Sequence, residues 1–103
     1  MATAAQLVYP HITKDPEVCG GRACVAGTRV RVLDIVVASQ MGLGPEQILG
    51  EYPSLSSVYD VYAALLYRND HPDEIAEAIE EDGRIAERIQ RDREEFLKRS
   101  PAR

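Results

Sequence analysis

Apolar and polar positions change their spacing along the chain, and each change predicts a different element. Residues 1–10 follow no period and are expected to fray. Ile12-Thr13-Lys14 reads as a short strand, and Asp15-Pro16-Glu17 as a turn, because proline presets φ at the second turn position. Gly20-Gly21 is a second turn signal. Arg22 to Val25 is expected to pair back as a strand until Ala26-Gly27 breaks it. Thr28-Arg29-Val30-Arg31-Val32 then alternates with period two, which sets Val30 and Val32 on one face and Arg29 and Arg31 on the other. The first third therefore predicts a small β-ribbon with an arginine-bearing face.

Helical spacing begins at Val32, with Leu33, Val36, Val37 and Met41 on the apolar side and Asp34 in the first turn, where it suits the helix dipole. Gly42-Leu43-Gly44 ends this helix, and Pro45 opens a short one to about Glu51. Tyr52-Pro53 stops it, because the residue before proline is pushed out of the helical region. Ser56 or Ser57 caps a third helix whose stripe is Val58, Val61, Leu65 and Asn69, widened by Tyr62 and Leu66. Tyr59, Asp60, Ala63 and Tyr67 fall away from that stripe. Asn69-Asp70-His71-Pro72 predicts a break, after which helical character runs to about Lys98 with Ile75, Ala78, Ile79, Ile85, Ile89 and Phe96 as its apolar positions. Gly83 weakens its middle by about 1 kcal/mol relative to alanine. A helix over 73–98 is about 39 Å long, more than a small core spans, so its end is expected to project.

These elements predict a mainly α fold: a short N-terminal β-ribbon, a trihelical helix-turn-helix core and a projecting C-terminal helix. The division is a ribbon plus helical core over 11–71 and a helical partner-binding segment over 72–103. With 103 residues the chain is long enough for one modest core and too short for a cleft closed by a second domain. No run of about 18 apolar residues exists, so no membrane span is predicted. The opening residues carry no basic, then apolar, signal pattern, and the expected compartment is the cytoplasm.

Charge divides the chain into three blocks. Residues 1–45 hold four bases and three acids, residues 46–82 hold ten acids and only Arg68 as a base, and residues 83–103 hold seven bases and four acids. The middle block should repel nucleic acid while the two ends tolerate or attract it, unless the arginines of the first block pair with the acids of the second. Cys19 and Cys24 stand in a C-x4-C spacing that matches no common zinc site, and read as two reduced thiols beside a glycine turn, with a regulatory disulfide or a metal site as the alternative. His11 and His71 have no evident serine or cysteine partner, Glu80-Glu81 sits on a solvent face, and there is no phosphate loop. Neither catalysis nor a cofactor is expected.

Several segments in one order carry a resemblance. Gly20-Gly21-Arg22-Ala23-Cys24-Val25-Ala26-Gly27-Thr28-Arg29-Val30-Arg31-Val32 is similar to a "GG(K/R)P-x-I-x-GTR-(I/V)-x-V" motif, and Gly42-Leu43-Gly44-Pro45-Glu46-Gln47-Ile48 to "G-x-(S/T)-x-E-x-I". Tyr52-Pro53-Ser54-Leu55-Ser56, the run Val58-Tyr59-Asp60-Val61-Tyr62-Ala63-Ala64-Leu65-Leu66-Tyr67 and Asp70-His71-Pro72-Asp73-Glu74-Ile75 are similar to "YP-x-L-(S/T)", "ALAYY" and "DHRDEI". Together, over roughly residues 11–80, they resemble the family numbered 433 among the domains of unknown function, with Ala23 in place of proline and Pro72 in place of arginine. The resemblance implies an antitoxin-like protein of the VapB type, with a homeodomain-like trihelical fold, paired with a toxin like the PIN-domain ribonucleases. It implies that one segment binds toxin and another binds operator DNA.

The residues themselves assign those tasks unevenly. The third helix offers Ser57, Tyr59 and Asp60 in its first turn, few of the side chains that read base edges. The DNA-binding candidates are therefore Arg22, Arg29 and Arg31 on the ribbon, with Ser57 and Tyr59. Arg84, Arg88 and Arg91 share a helix face beside the apolar Ile85, Ile89 and Phe96, an arrangement that suits a partner's groove. These six are the toxin-binding candidates, and Arg88 or Arg91 is expected to pair with the toxin's metal-binding carboxylates. Tyr62, Leu66 and the ribbon valines are candidates for a homodimer interface. A stand-alone DNA-binding regulator and an adaptor that never meets DNA are the rival readings.

Overall fold

The computed structural model describes residues 6–99. Strands β1 (Gln6–Tyr9), β2 (Ile12–Lys14) and β3 (Cys24–Val25) form an antiparallel sheet in the order β1-β2-β3. Helices α1 (Val32–Gln40), α2 (Pro45–Glu51), α3 (Val58–Asp70) and α4 (Pro72–Arg99) follow. The molecule is thus mainly helical with a small sheet at its N-terminal end, and helix boundaries fall where local chemistry predicts. Gly42, at φ +100°, follows α1 in the left-handed region. Pro45 opens α2, and the Ser57 hydroxyl accepts the Tyr59 N–H at 3.2 Å to cap α3.

The strands differ from expectation. Gln6–Tyr9 is a strand although its sequence has no period, because pairing with β2 holds it: Leu7 lies opposite Thr13 and Tyr9 opposite Ile12, with an irregularity between. Leu7 and Val8 are both exposed, so burial imposes no alternation on the segment. The expected fraying of residues 1–5 lies outside the described residues. Residues 28–32 do not form the second arm of a ribbon. Only an isolated bridge joins Cys24 to Arg31, and Arg31 already serves as the residue before α1. Val25 donates its N–H to the Val30 carbonyl at 2.9 Å and Val32 to that of Ala23 at 2.9 Å, which closes a tight loop between them. Val30 and Val32 do face inward together, and Arg29 stays outside.

The core joins Ile12 and Val25 of the sheet to Val32, Ile35 and Val36 of α1, Ile48 of α2, Val61 and Ala64 of α3 and Ile75 of α4. Helix α3 is rotated from the stripe its apolar residues predict. Asp60, Ala63, Ala64 and Tyr67 are buried, while Tyr62 and Leu66 are 49% and 55% exposed. Two alanines let α3 approach closely, and Asp60 and Tyr67 face the strands and the start of α4, where each finds a polar partner. With those partners in place neither polar group is left unsatisfied on burial.

Packing carries across the break at residue 72, since Ile75 and Ala78 of α4 are buried. Beyond Ala78 no side chain of α4 is buried; Ile79 still packs against the core and Glu81 and Asp82 still meet Arg22 and Arg31, and the later turns leave the body of the molecule. The Cα radius of gyration is 16.5 Å, against about 13 Å for a compact chain of this length.

Candidate functional site

Two polar clusters position the elements. Asp60 is 5% exposed and takes three hydrogen bonds: from the Ser56 N–H at 2.9 Å, the Ser56 hydroxyl at 3.2 Å and His11 Nδ1 at 2.9 Å. It ties the β1–β2 turn, where His11 sits at φ +68°, to the start of α3. Burial works to raise its pKa, but the bonds from Ser56 and His11 win and hold it below the ordinary carboxylate value. Ser56 donates to the carboxylate and makes no bond to the imidazole, so the trio is a cap and not a nucleophile–base pair. Because the folded pKa is lowered, this carboxylate stabilises the fold above its unfolded value near pH 4 and loses that effect as pH falls through the folded value. Asp60→Ala is expected to cost about 1.5–3 kcal/mol at about pH 7 and distinctly less at about pH 3, read from urea unfolding at both pH values.

The second cluster closes the corner between α3 and α4. The Tyr67 ring is stacked on His71 at 4.2 Å and meets Tyr9 edge-on at 5.4 Å. Its hydroxyl donates to Glu74 at 2.8 Å, and the Tyr9 hydroxyl donates to Asp70 at 2.6 Å. Burial and Glu74 push the Tyr67 pKa up, so the phenol keeps its proton. Glu74 also meets Lys14 at 3.0 Å. Tyr67, Asp70, His71 and Glu74 lie in segments that carry the resemblance, but no spacing joins them into a cluster, and Tyr67 falls off the predicted apolar stripe.

The DNA-binding candidates are scattered. Arg22 pairs with Glu81 of α4. Arg31 forks onto Asp34 at 2.8 Å and onto both oxygens of Asp82, at 3.1 and 3.3 Å. Asp34, opposed by burial and helped by Asp82, holds the Arg31 guanidinium above its ordinary pKa. Lys14, Arg22 and Arg31 with Glu74, Glu81 and Asp82 line one hollow. Arg29 is exposed and lines a different hollow with Thr13, Asp15, Thr28 and Ser54. Ser57 serves as the cap of α3, and Tyr59 is 69% exposed. An arginine-bearing ribbon face therefore does not exist: two of its three arginines lie against α4.

The toxin-binding candidates do lie together. Arg84, Ile85, Arg88, Ile89, Arg91 and Phe96 are all exposed on the projecting half of α4, and Glu80 is 3.8 Å from Arg84. Their apolar members continue at heptad spacing the line that Ile75 and Ala78 bury in the core. Of the dimer candidates, Tyr62 and Leu66 stand exposed on α3 in one row with Tyr59, whereas the ribbon valines Val25, Val30 and Val32, expected at an interface, are buried in the core and offer no surface to a partner.

Cys19 donates to the Arg29 carbonyl at 3.3 Å from the turn Cys19–Gly21, and Cys24 is buried; both are free thiols. Burial, with Cys19 and Asp34 adding, pushes the Cys24 thiol up to about 12. Among the described residues no group of three or more His, Cys, Asp and Glu side chains is placed to hold a metal ion, and no helix is long and apolar enough to cross a membrane.

Comparison with curated proteins finds no match. A solved structure, that of a DUF433 member protein from Anabaena variabilis, is 35% identical, covers 67% of each chain and superposes with a TM-score of 0.61. The family model described as "Protein of unknown function (DUF433)" matches residues 12–68, from β2 nearly to the end of α3. The chain belongs to the DUF433 family.

Proposed function

We propose that this chain is the antitoxin half of a type II toxin–antitoxin pair, which neutralises a PIN-like ribonuclease by laying the projecting half of α4 into it. One observation carries the reading: a helix that leaves the core with Ile85 47%, Ile89 60% and Phe96 62% exposed, flanked by Arg84, Arg88 and Arg91. An amphipathic helix takes most of its stability from whatever packs on its apolar face, and this seam is uncovered. The arginines suit carboxylates at a metal-dependent nuclease centre, which guanidinium groups engage bidentately.

In the same reading α1, α2 and α3 form a homeodomain-like helix-turn-helix, and the protein acts as a dimer through Tyr59, Tyr62 and Leu66 and autoregulates its operon through DNA. The gathering of Lys14, Arg22 and Arg31 in one hollow supports the DNA half. Their pairing with acids of the same chain supports instead an adaptor that does not bind DNA. Co-expression with a PIN-like nuclease encoded beside this chain tests the proposal. The nuclease is expected to co-purify and to lose RNA cleavage in the complex; a nuclease that stays fully active with excess chain present removes the antitoxin reading.

A further inference from the structure

We propose that Glu81-Asp82 of α4 masks a phosphate-binding face made by Arg22 and Arg31, occupying it as a nucleic-acid backbone would. The inference rests on the DNA-binding half of the function proposed above and supplies its regulation.

The two arginines come from separate segments, the loop after the Cys19–Gly21 turn and the residue before α1, yet they open into one hollow beside Lys14. In that hollow each meets a carboxylate from one turn of α4. Arg31 takes both Asp82 oxygens in the forked geometry with which guanidinium also takes phosphate. Arg22 takes Glu81. The groups facing these two arginines are thus Asp34, Glu81 and Asp82. Asp34 lies on α1 beside Arg31 and stays with it; the other two belong to α4.

The fastening of α4 differs along its length. Glu74 is held by both Tyr67 and Lys14, and Ile75 and Ala78 are buried, so the first two turns are fixed. Glu81 and Asp82 come after the last buried residue, and their side chains are 50% and 40% exposed. Hydrogen-bonded ion pairs hold them in place of buried apolar contact, and half-exposed pairs weaken as salt rises. Gly83 follows at once, the least helix-favouring residue of this stretch. The turn can lift without uncovering the core. A phosphodiester backbone, or a partner that draws the distal half of α4 aside, releases the two arginines; with α4 in place they are covered. The arginines lie inside the segment that the family model matches, and the masking acids lie outside it.

The test is binding of the full chain to a short labelled DNA duplex, across salt, for wild type, Glu81→Gln/Asp82→Asn, and a control of equal charge change on the distal helix, Glu87→Gln/Glu94→Gln. Unmasking two arginines is expected to tighten binding about tenfold at low salt and to steepen the slope of log affinity against log salt by about 2. The control is expected to stay near wild type, and Arg22→Ala/Arg31→Ala added to the first variant is expected to abolish the gain. Asp82→Asn alone, the milder change, is expected to show part of it. If wild type binds and the unmasked variant binds no better than the control, the mask is refuted while the DNA reading stands. If neither binds even at low salt, the DNA reading falls and takes the mask with it.

Discussion

Tyr67→Ala is expected to cost about 3–5 kcal/mol, a large share of the roughly 5–15 kcal/mol that holds a domain of this size. The ring is 2% exposed and is where β1, α3 and α4 meet, between Tyr9 and His71. Alanine there leaves a cavity at that corner and removes the donor to Glu74, which then keeps only Lys14. Tyr67→Phe separates the two effects. It keeps the ring and is expected to lose about 1 kcal/mol, or about 4–8 °C in Tm. Urea unfolding followed by circular dichroism reads both variants, and an alanine variant within about 1 kcal/mol of wild type would show that the corner does not depend on this ring.

The second large effect is on the partner and not on the fold. Ile85→Asp/Ile89→Asp is expected to weaken binding of a PIN-like nuclease by at least about 100-fold, since two anchors of this kind contribute about 2 kcal/mol or more each. Arg88→Ala/Arg91→Ala is expected to leave binding partly intact but to restore nuclease activity, if these arginines meet the catalytic carboxylates. Neither pair touches the core, so Tm should stay within a few degrees of wild type, about the effect of surface changes generally. Unchanged inhibition by both pairs would move the toxin contact off α4, and the exposed Tyr59-Tyr62-Leu66 row would be the next surface to alter.

The sequence was most legible where a local rule acts alone. Local residues mark most helix boundaries whatever surrounds them: Gly42 follows α1, Pro45 opens α2 and Pro53 follows its cap, and Ser57 caps α3, whose end is followed by Pro72. Strands were less legible. β1 is held by β2 and not by its own pattern, and the alternation at residues 28–32 serves a tight loop that sends Val30 and Val32 into the core. The face of α3 was misread because apolar size was the only guide. Asp60 and Tyr67 are buried where Ser56, His11 and Glu74 complete their hydrogen bonds, and two of those three partners are distant or on another element.

By itself the sequence determined the run of helices, the projecting basic end of α4 and the family resemblance, because each is written in neighbouring residues. Only the tertiary structure decided which arginines are free. Arg22 and Arg31 look like a binding face in the chain, but folding brings Glu81 and Asp82 against them from 59 and 51 residues away. Charge pairing depends on distance in space, and along the chain that distance is not recorded.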